Sequence, residues 1–129
     1  MMDPKRVWVA TLSAAVLAVP DWYLALPGVI PFIPIPTDIG LESAAAALTV
    51  ISLRTVTGFA IGISALRMRW WWHGILLSLI FGIPLMFMCR WAGLGWPITI
   101  FGVNGAGIVI GFLIEWITSV LFQAPAPRT

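Results

Sequence analysis

Four long apolar stretches, separated by short polar or proline-rich breaks, fill almost the whole chain. Each is close to the roughly 20 residues that an α-helix needs to cross the hydrocarbon core of a bilayer. The pattern predicts transmembrane helices at about residues 7–26, 40–64, 71–88 and 97–121. It therefore indicates an all-α, polytopic membrane protein with a single four-helix domain covering residues 1–129.

The breaks between the apolar stretches carry their own signals. Residues 27–39 contain four prolines, which prevent a helix and indicate a loop at the membrane surface. Thr37 or Asp38 is then expected to cap the second helix, with Glu42 in its first turn. Residues 123–129 are too polar and proline-rich to pack, so we expect a flexible tail.

Composition supports a membrane protein and excludes several other classes. Hydrophobic residues make up 60% of the chain and charged residues 9%, whereas a soluble domain carries about 25% charged residues. The charges are scattered singly, without the basic patch that nucleic-acid binding requires. Cys89 is the one cysteine, which rules out an intrachain disulfide and a cysteine-based zinc cluster.

The distribution of basic residues predicts the orientation. Four crossings place both termini on one side of the membrane, and that side carries Lys5, Arg6, Arg67, Arg69 and Arg128, against Arg90 on the other. The positive-inside rule makes the richer side cytoplasmic. We therefore expect an N-in, C-in protein of a prokaryotic plasma (inner) membrane. The first apolar run also has the form of a signal peptide, but its apolar character continues too far along the chain for that interpretation.

Aromatic residues mark the expected cytoplasmic interface at Trp70, Trp71 and Trp72, followed by the only histidine, His73. The simpler interpretation of His73 is an anchor for the helix end. The alternative is a pH sensor or proton donor.

A second charged group is expected near the outer face. It consists of Asp21, Asp38, Glu42 and Arg90. These residues are either solvated interfacial charges with capping roles or an acidic vestibule that binds a cation weakly.

Two pairs of glycines predict close helix contacts. Gly58 and Gly62 form a GxxxG in the second helix, and Gly107 and Gly111 repeat the spacing in the fourth. Small residues at this spacing allow helix backbones to approach closely in lipid. We take these faces to favour a homo-oligomer or contact with other membrane subunits.

Three polar side chains interrupt the apolar helices: Arg54, Asn104 and Glu115. A charge at the centre of a transmembrane helix costs about 2.5–3.5 kcal/mol on the insertion scale, so such residues are expected to pair or to serve a function. Arg54 and Glu115 are expected at depths only about 5 Å apart. They either form a structural pair, line a polar crevice or gate an ion or proton path, or never meet, within one subunit or between subunits.

Three segments resemble a known group of proteins: residues 58–64 (GFAIGIS), 73–76 (HGIL) and 111–119 (GFLIEWITS). The group consists of small four-helix prokaryotic integral membrane proteins whose activity is uncharacterised. The resemblance implies the architecture and no chemistry.

Two functional classes remain after enzymes are considered. The chain has no HExxH, P-loop or nucleophile-elbow motif, so we expect neither catalysis nor a metal or other cofactor. One class is a channel or transporter subunit, with Arg54, Asn104 and Glu115 facing a permeation path. The other is a structural or accessory subunit whose polar residues serve helix packing. Three buried polar side chains exceed what the glycine contacts need, which favours transport.

Overall fold

The computed structural model describes residues 3–31, 35, 40, 43–64 and 68–122. These residues form four helices, α1 (Pro4–Leu24), α2 (Ala44–Ile63), α3 (Trp70–Trp91) and α4 (Trp96–Trp116), and α4 continues into a π-helical turn, Ile117–Leu121. All four are long and apolar enough to cross a membrane. The all-α, four-helix prediction is confirmed.

The helix starts differ from those expected because the caps differ. Asp3 caps α1 by accepting from the backbone N–H of Lys5 at 3.0 Å, so α1 starts three residues earlier than predicted. Ser43 caps α2 through Ala46 N–H at 3.1 Å, so α2 starts at Ala44 and not at the expected residue 40. The expected caps Thr37 and Asp38 are not among the described residues. Residues 36–39, 41 and 42, and the tail 123–129, lie outside the described residues.

A tight turn joins α3 to α4. The Gly93 φ angle of +106° allows the backbone to reverse, and the Leu94 N–H donates to the Cys89 carbonyl at 3.1 Å. Pro97 lies in the first turn of α4, where its missing N–H costs nothing. The two helices therefore form an antiparallel hairpin.

Neighbouring helices run antiparallel around the bundle. Arg6 near the start of α1 contacts Ile61 near the end of α2, and Asp21 near the end of α1 contacts Arg54. Contacts of α2 with α3 and of α1 with α4 complete the ring. We call the end that holds the start of α1 the Arg6 end, and the opposite end the Asp21 end.

The α1–α2 interface is built from small residues. Ala10, Ala14 and Ala18 are fully buried and repeat every four residues along α1. A Cβ on Gly58 would overlap Ala10 and Ala14, and one on Gly62 would lie 2.8 Å from the Val7 Cα. This glycine pair therefore contacts a helix of its own chain.

The α3–α4 interface is equally close. A Cβ on Gly74 would overlap the Gly111 carbonyl, and a Cβ on Gly111 would overlap that of Gly74. Gly107 is looser, with the Ser78 Oγ 3.5 Å from its Cβ position. Because the predicted glycine faces are covered within the chain, they lend no support to an oligomer, which stays a prediction.

Polar groups are inside the bundle and large apolar side chains are outside. Arg6, Arg54, His73 and Glu115 are each at most 1% exposed. Large apolar side chains on the outer surface include Val16, Phe87, Trp91 and Phe101. Such extensive apolar exposure is foreign to soluble monomers and marks contact with lipid or protein.

Candidate functional site

At the Arg6 end, Arg6 and Glu115 form a buried ion pair. The Arg6 Nη1 donates to the Glu115 Oε1 at 2.8 Å, and the Arg6 Nη2 donates to Oε2 at 3.0 Å. The two parallel contacts match the fork of a guanidinium to the two oxygens of a carboxylate. This geometry holds the start of α1 against the end of α4.

The remaining contacts of this pair reach the other two helices. The Arg6 Nη2 also donates to the Ile61 carbonyl at 3.1 Å, and the His73 Nδ1 lies 2.6 Å from the Glu115 Oε2. The Ser119 hydroxyl donates to the Glu115 Oε1. Since every helix contributes a partner, we call these five residues the four-helix polar cluster.

His73 meets both charged members of the cluster through one ring nitrogen. Its Nδ1 lies 2.6 Å from the Glu115 Oε2 and 3.4 Å from the Arg6 Nη2. The buried Nε2 has no hydrogen-bond partner in the described ranges. The charges of Arg6 and Glu115 balance each other in their ion pair, and His73 packs against both.

At this end, burial adds detail to His73 and corrects Arg6. His73 is fully buried inside the bundle near the start of α3, while Trp70 and Trp71 are half-buried and Trp72 is exposed. Arg6 was counted as a flanking charge, yet its side chain points into the core. Arg6 continues the four-residue alanine repeat of α1, a signal in the sequence that places it on the packed face.

At the Asp21 end, Arg54 pairs with Asp21. The Arg54 Nε donates to the Asp21 Oδ2 at 2.8 Å. This contact replaces the expected pairing with Glu115, and Arg54 and Glu115 form no ion pair with each other in the described part of the chain. Arg54 lies 3.8 Å from the Cβ position of Gly107, and Glu115 is eight residues further along α4, about 12 Å away.

A cavity of about 270 Å³ adjoins this second ion pair. Asp21, Arg54 and Thr99 are polar residues in its wall, and Cys89 also contributes. The rest of the wall comes from apolar side chains such as Trp22, Val50, Leu85 and Val103. All four helices therefore contribute to the cavity.

Two buried polar atoms in this wall have no hydrogen-bond partner among the described residues. Neither the Arg54 Nη2 nor the Thr99 Oγ1 has a hydrogen bond within the described residues, although each residue is only 1% exposed. Buried polar groups are hydrogen-bonded in the great majority of cases. The cavity is thus bordered by unused hydrogen-bonding capacity.

The other predicted site residues are not assembled with these groups. Asn104 is half-buried, outside the cavity wall, and makes no side-chain hydrogen bond in the described ranges. Arg90 donates to the Leu94 carbonyl at 3.3 Å and stacks on Trp96, so it holds the α3–α4 turn. Asp38 and Glu42 lie outside the described residues.

Neither a metal site nor a match to a known protein accompanies this geometry in the described part of the chain. Within residues 3–31, 35, 40, 43–64 and 68–122, no three His, Cys, Asp or Glu side chains group to hold a metal ion. No protein family, no curated protein and no solved structure matches the chain. The two polar sites and the cavity are therefore the features that bear on function.

Proposed function

We propose that the protein spans a prokaryotic plasma membrane and acts as a small channel or transporter subunit. The solute enters the cavity at the Asp21 end. Four helices of sufficient length and an apolar outer surface support the membrane location. The wall of the cavity, drawn from all four helices, supports the transport function.

Exposed basic residues support an orientation with both termini in the cytoplasm. Lys5 and Arg69 are exposed at the Arg6 end, and Arg90 is exposed at the opposite end. Arg6 is left out of this comparison of exposed charges, because its side chain is buried and paired with Glu115. Arg67 and Arg128 lie outside the described residues, so their contribution rests on the sequence alone.

The observation that carries the proposal is a cavity beside a buried ion pair. Protein interiors are close-packed, with few voids larger than a water molecule. A charged pair whose role was only to join α1 and α2 would need no space beside it. The cavity next to Asp21 and Arg54 is therefore best explained as space for a solute.

In a transport path that begins at the cavity, the Arg6 end would be the closed side. The four-helix polar cluster fills the bundle there, and Gly74 and Gly111 bring α3 and α4 into backbone contact. Ser78 lies between the two ends with a buried hydroxyl that has no partner in the described chain. Passage through the protein thus requires α3 and α4 to separate near Ser78.

Flux through purified protein in vesicles tests the proposal. Uptake of xylitol, lactate and choline would cover uncharged, anionic and cationic solutes. We expect protein-dependent uptake of at least one, blocked by N-ethylmaleimide because the adduct on Cys89 occupies the cavity. The control is Cys89→Ala/Ala92→Cys, which moves the thiol to the exposed turn outside the cavity wall and should keep its uptake after alkylation.

A structural role as an accessory subunit is the second candidate, and the Arg6 end favours it. The cluster joins all four helices with its polar groups turned toward one another. Two results together would favour the structural role. None of the solutes would show uptake that is blocked by modification of Cys89, and substitutions in the four-helix polar cluster would unfold the protein.

A further inference from the structure

Thr99 differs from the other threonines in the described helices. Five of them donate their hydroxyl to the carbonyl four residues earlier: Thr11, Thr49, Thr55, Thr57 and Thr118. The backbone N–H of Thr99 does reach the Gly95 carbonyl at 3.0 Å, but its hydroxyl makes no such bond. The Thr99 hydroxyl is therefore left for a partner from outside the helix.

Arg54, like Thr99, has an unused hydrogen-bonding group. Its Nε is used by Asp21, and its Nη2 has no acceptor among the described residues. A guanidinium carries five N–H donors and accepts nothing, so the missing partner must be an acceptor. Arg54 and Thr99 line the same cavity although they come from α2 and α4.

The size and lining of the cavity limit what can fill it. Its volume is about 270 Å³, near the lower end of small-molecule sites. A dry apolar cavity of roughly 150 Å³ already holds benzene, so there is room for about ten non-hydrogen atoms. Apart from the polar residues already named, the wall is mostly aliphatic and aromatic, which favours a ligand with an apolar body.

Charge balance decides between a neutral and an ionic ligand. Asp21 and Arg54 cancel each other at the wall of the cavity. An anion or a cation would leave one charge uncompensated inside an apolar bundle, which is unfavourable. An uncharged oxygen satisfies the Arg54 donor without this penalty.

We propose that the cavity binds a neutral, mainly apolar molecule through one oxygen, which accepts from Arg54 and hydrogen-bonds to Thr99. The inference rests on the proposed function, because it names the substrate class of the same site. A medium-chain alcohol is the simplest molecule with this chemistry.

Protection of Cys89 from alkylation measures occupancy directly, because Cys89 lines the cavity. The protein in lipid nanodiscs is treated with N-ethylmaleimide in the presence of octan-1-ol, octane, octanoate or octylammonium. We expect octan-1-ol to slow alkylation at least tenfold at saturation, and the other three to need at least tenfold higher concentration. Equal protection by octanoate would overturn the assignment of a neutral ligand. Equal protection by octane would overturn the role of the ligand oxygen. No protection by any of the four compounds would overturn the binding site itself.

Two variants and a relocated thiol make the test specific. Thr99→Val keeps the shape and removes the hydroxyl, so it should weaken octan-1-ol binding roughly 2- to 10-fold. Thr57→Val is the matched control, because the Thr57 hydroxyl is bonded to the Leu53 carbonyl outside the cavity. Octan-1-ol should leave the alkylation rate unchanged in Cys89→Ala/Ala92→Cys. If it slows alkylation of this variant as much as that of Cys89, the slowing comes from perturbation of the bilayer and the proposal is contradicted.

The binding and transport results can fail separately. Protection of Cys89 without uptake in vesicles would retain the binding site and reject transport of the three solutes tested. Uptake without protection by octan-1-ol would retain transport and reject this ligand class.

Discussion

Arg6 and Glu115 lie 109 positions apart in the sequence and meet through two hydrogen bonds of 2.8 and 3.0 Å. Their contact joins the first and last helices at the point where α2 and α3 also contribute partners. A charge pair this deeply buried is retained only if its hydrogen bonds are well satisfied. The packing of the four helices at the Arg6 end therefore depends on this pair.

We expect Glu115→Gln to destabilise the protein more than Arg6→Met. Removing one member of a buried pair costs about 3–5 kcal/mol in soluble proteins. Without Arg6, Glu115 keeps His73 and Ser119 and can take up a proton, whereas Arg6 stays charged when Glu115 is lost. Thermal unfolding in detergent, with the exposed neighbour change Lys5→Met as control, measures the difference.

The double change Arg6→Met/Glu115→Leu should recover part of that loss, because it removes both charges together. A Glu115→Gln protein within about 0.5 kcal/mol of wild type, the range of ordinary surface changes, would show that the pair does not stabilise the fold.

The two ion pairs should behave as separate units. In double-mutant cycles, Arg54 and Asp21 should show a coupling of about 0.5–3 kcal/mol, as residues in contact do. Arg54 and Glu115 should be additive within roughly 0.5 kcal/mol, since they lie at different depths. Strong coupling between Arg54 and Glu115 would instead support the pairing expected from the sequence.

The fold followed from the sequence because the length of an apolar stretch determines whether a helix can cross a bilayer. The ion-pair partners of the buried charged residues could not be predicted from the sequence. Depth along a helix does not determine towards which neighbouring helix a long side chain turns. Arg54 turns to Asp21 in the adjacent helix, and Glu115 faces Arg6, whose position outside the first apolar run resembled a membrane-surface charge. The four-residue repeat of Arg6 with the α1 alanines was the one sequence signal for its burial.

The contact between Gly74 and Gly111 should be intolerant of any side chain. Gly111→Ala places a methyl group against the Gly74 backbone and 2.7 Å from the Ser78 Cβ, so we expect a loss of about 1–3 kcal/mol from overpacking. Gly105→Ala is the matched control on α4, because its Cβ position has no atom within 4 Å. That change should be neutral or stabilise by about 0.5–1 kcal/mol through helix propensity. Equal effects of the two changes in thermal unfolding would contradict the observed packing.

The orientation is tested by cysteine labelling in a Cys89→Ala background. Lys5→Cys and Ala92→Cys place exposed thiols at opposite ends of the bundle. An impermeant, polyethylene glycol-linked maleimide should label Ala92→Cys on intact cells and Lys5→Cys only after permeabilisation. The reverse pattern would invert the proposed topology.

The most direct test of the transport account is the reaction of the native Cys89 with the same impermeant maleimide on intact cells. A cavity that receives solute from outside exposes this thiol, so Cys89 should react at least tenfold faster than the thiol of Cys89→Ala/Leu77→Cys. Leu77 is the matched position, since it is buried in the apolar core of α3 and is absent from the cavity wall. If Cys89 reacts no faster than that buried thiol, or reacts only after permeabilisation, the cavity does not open to the outside and the account is wrong.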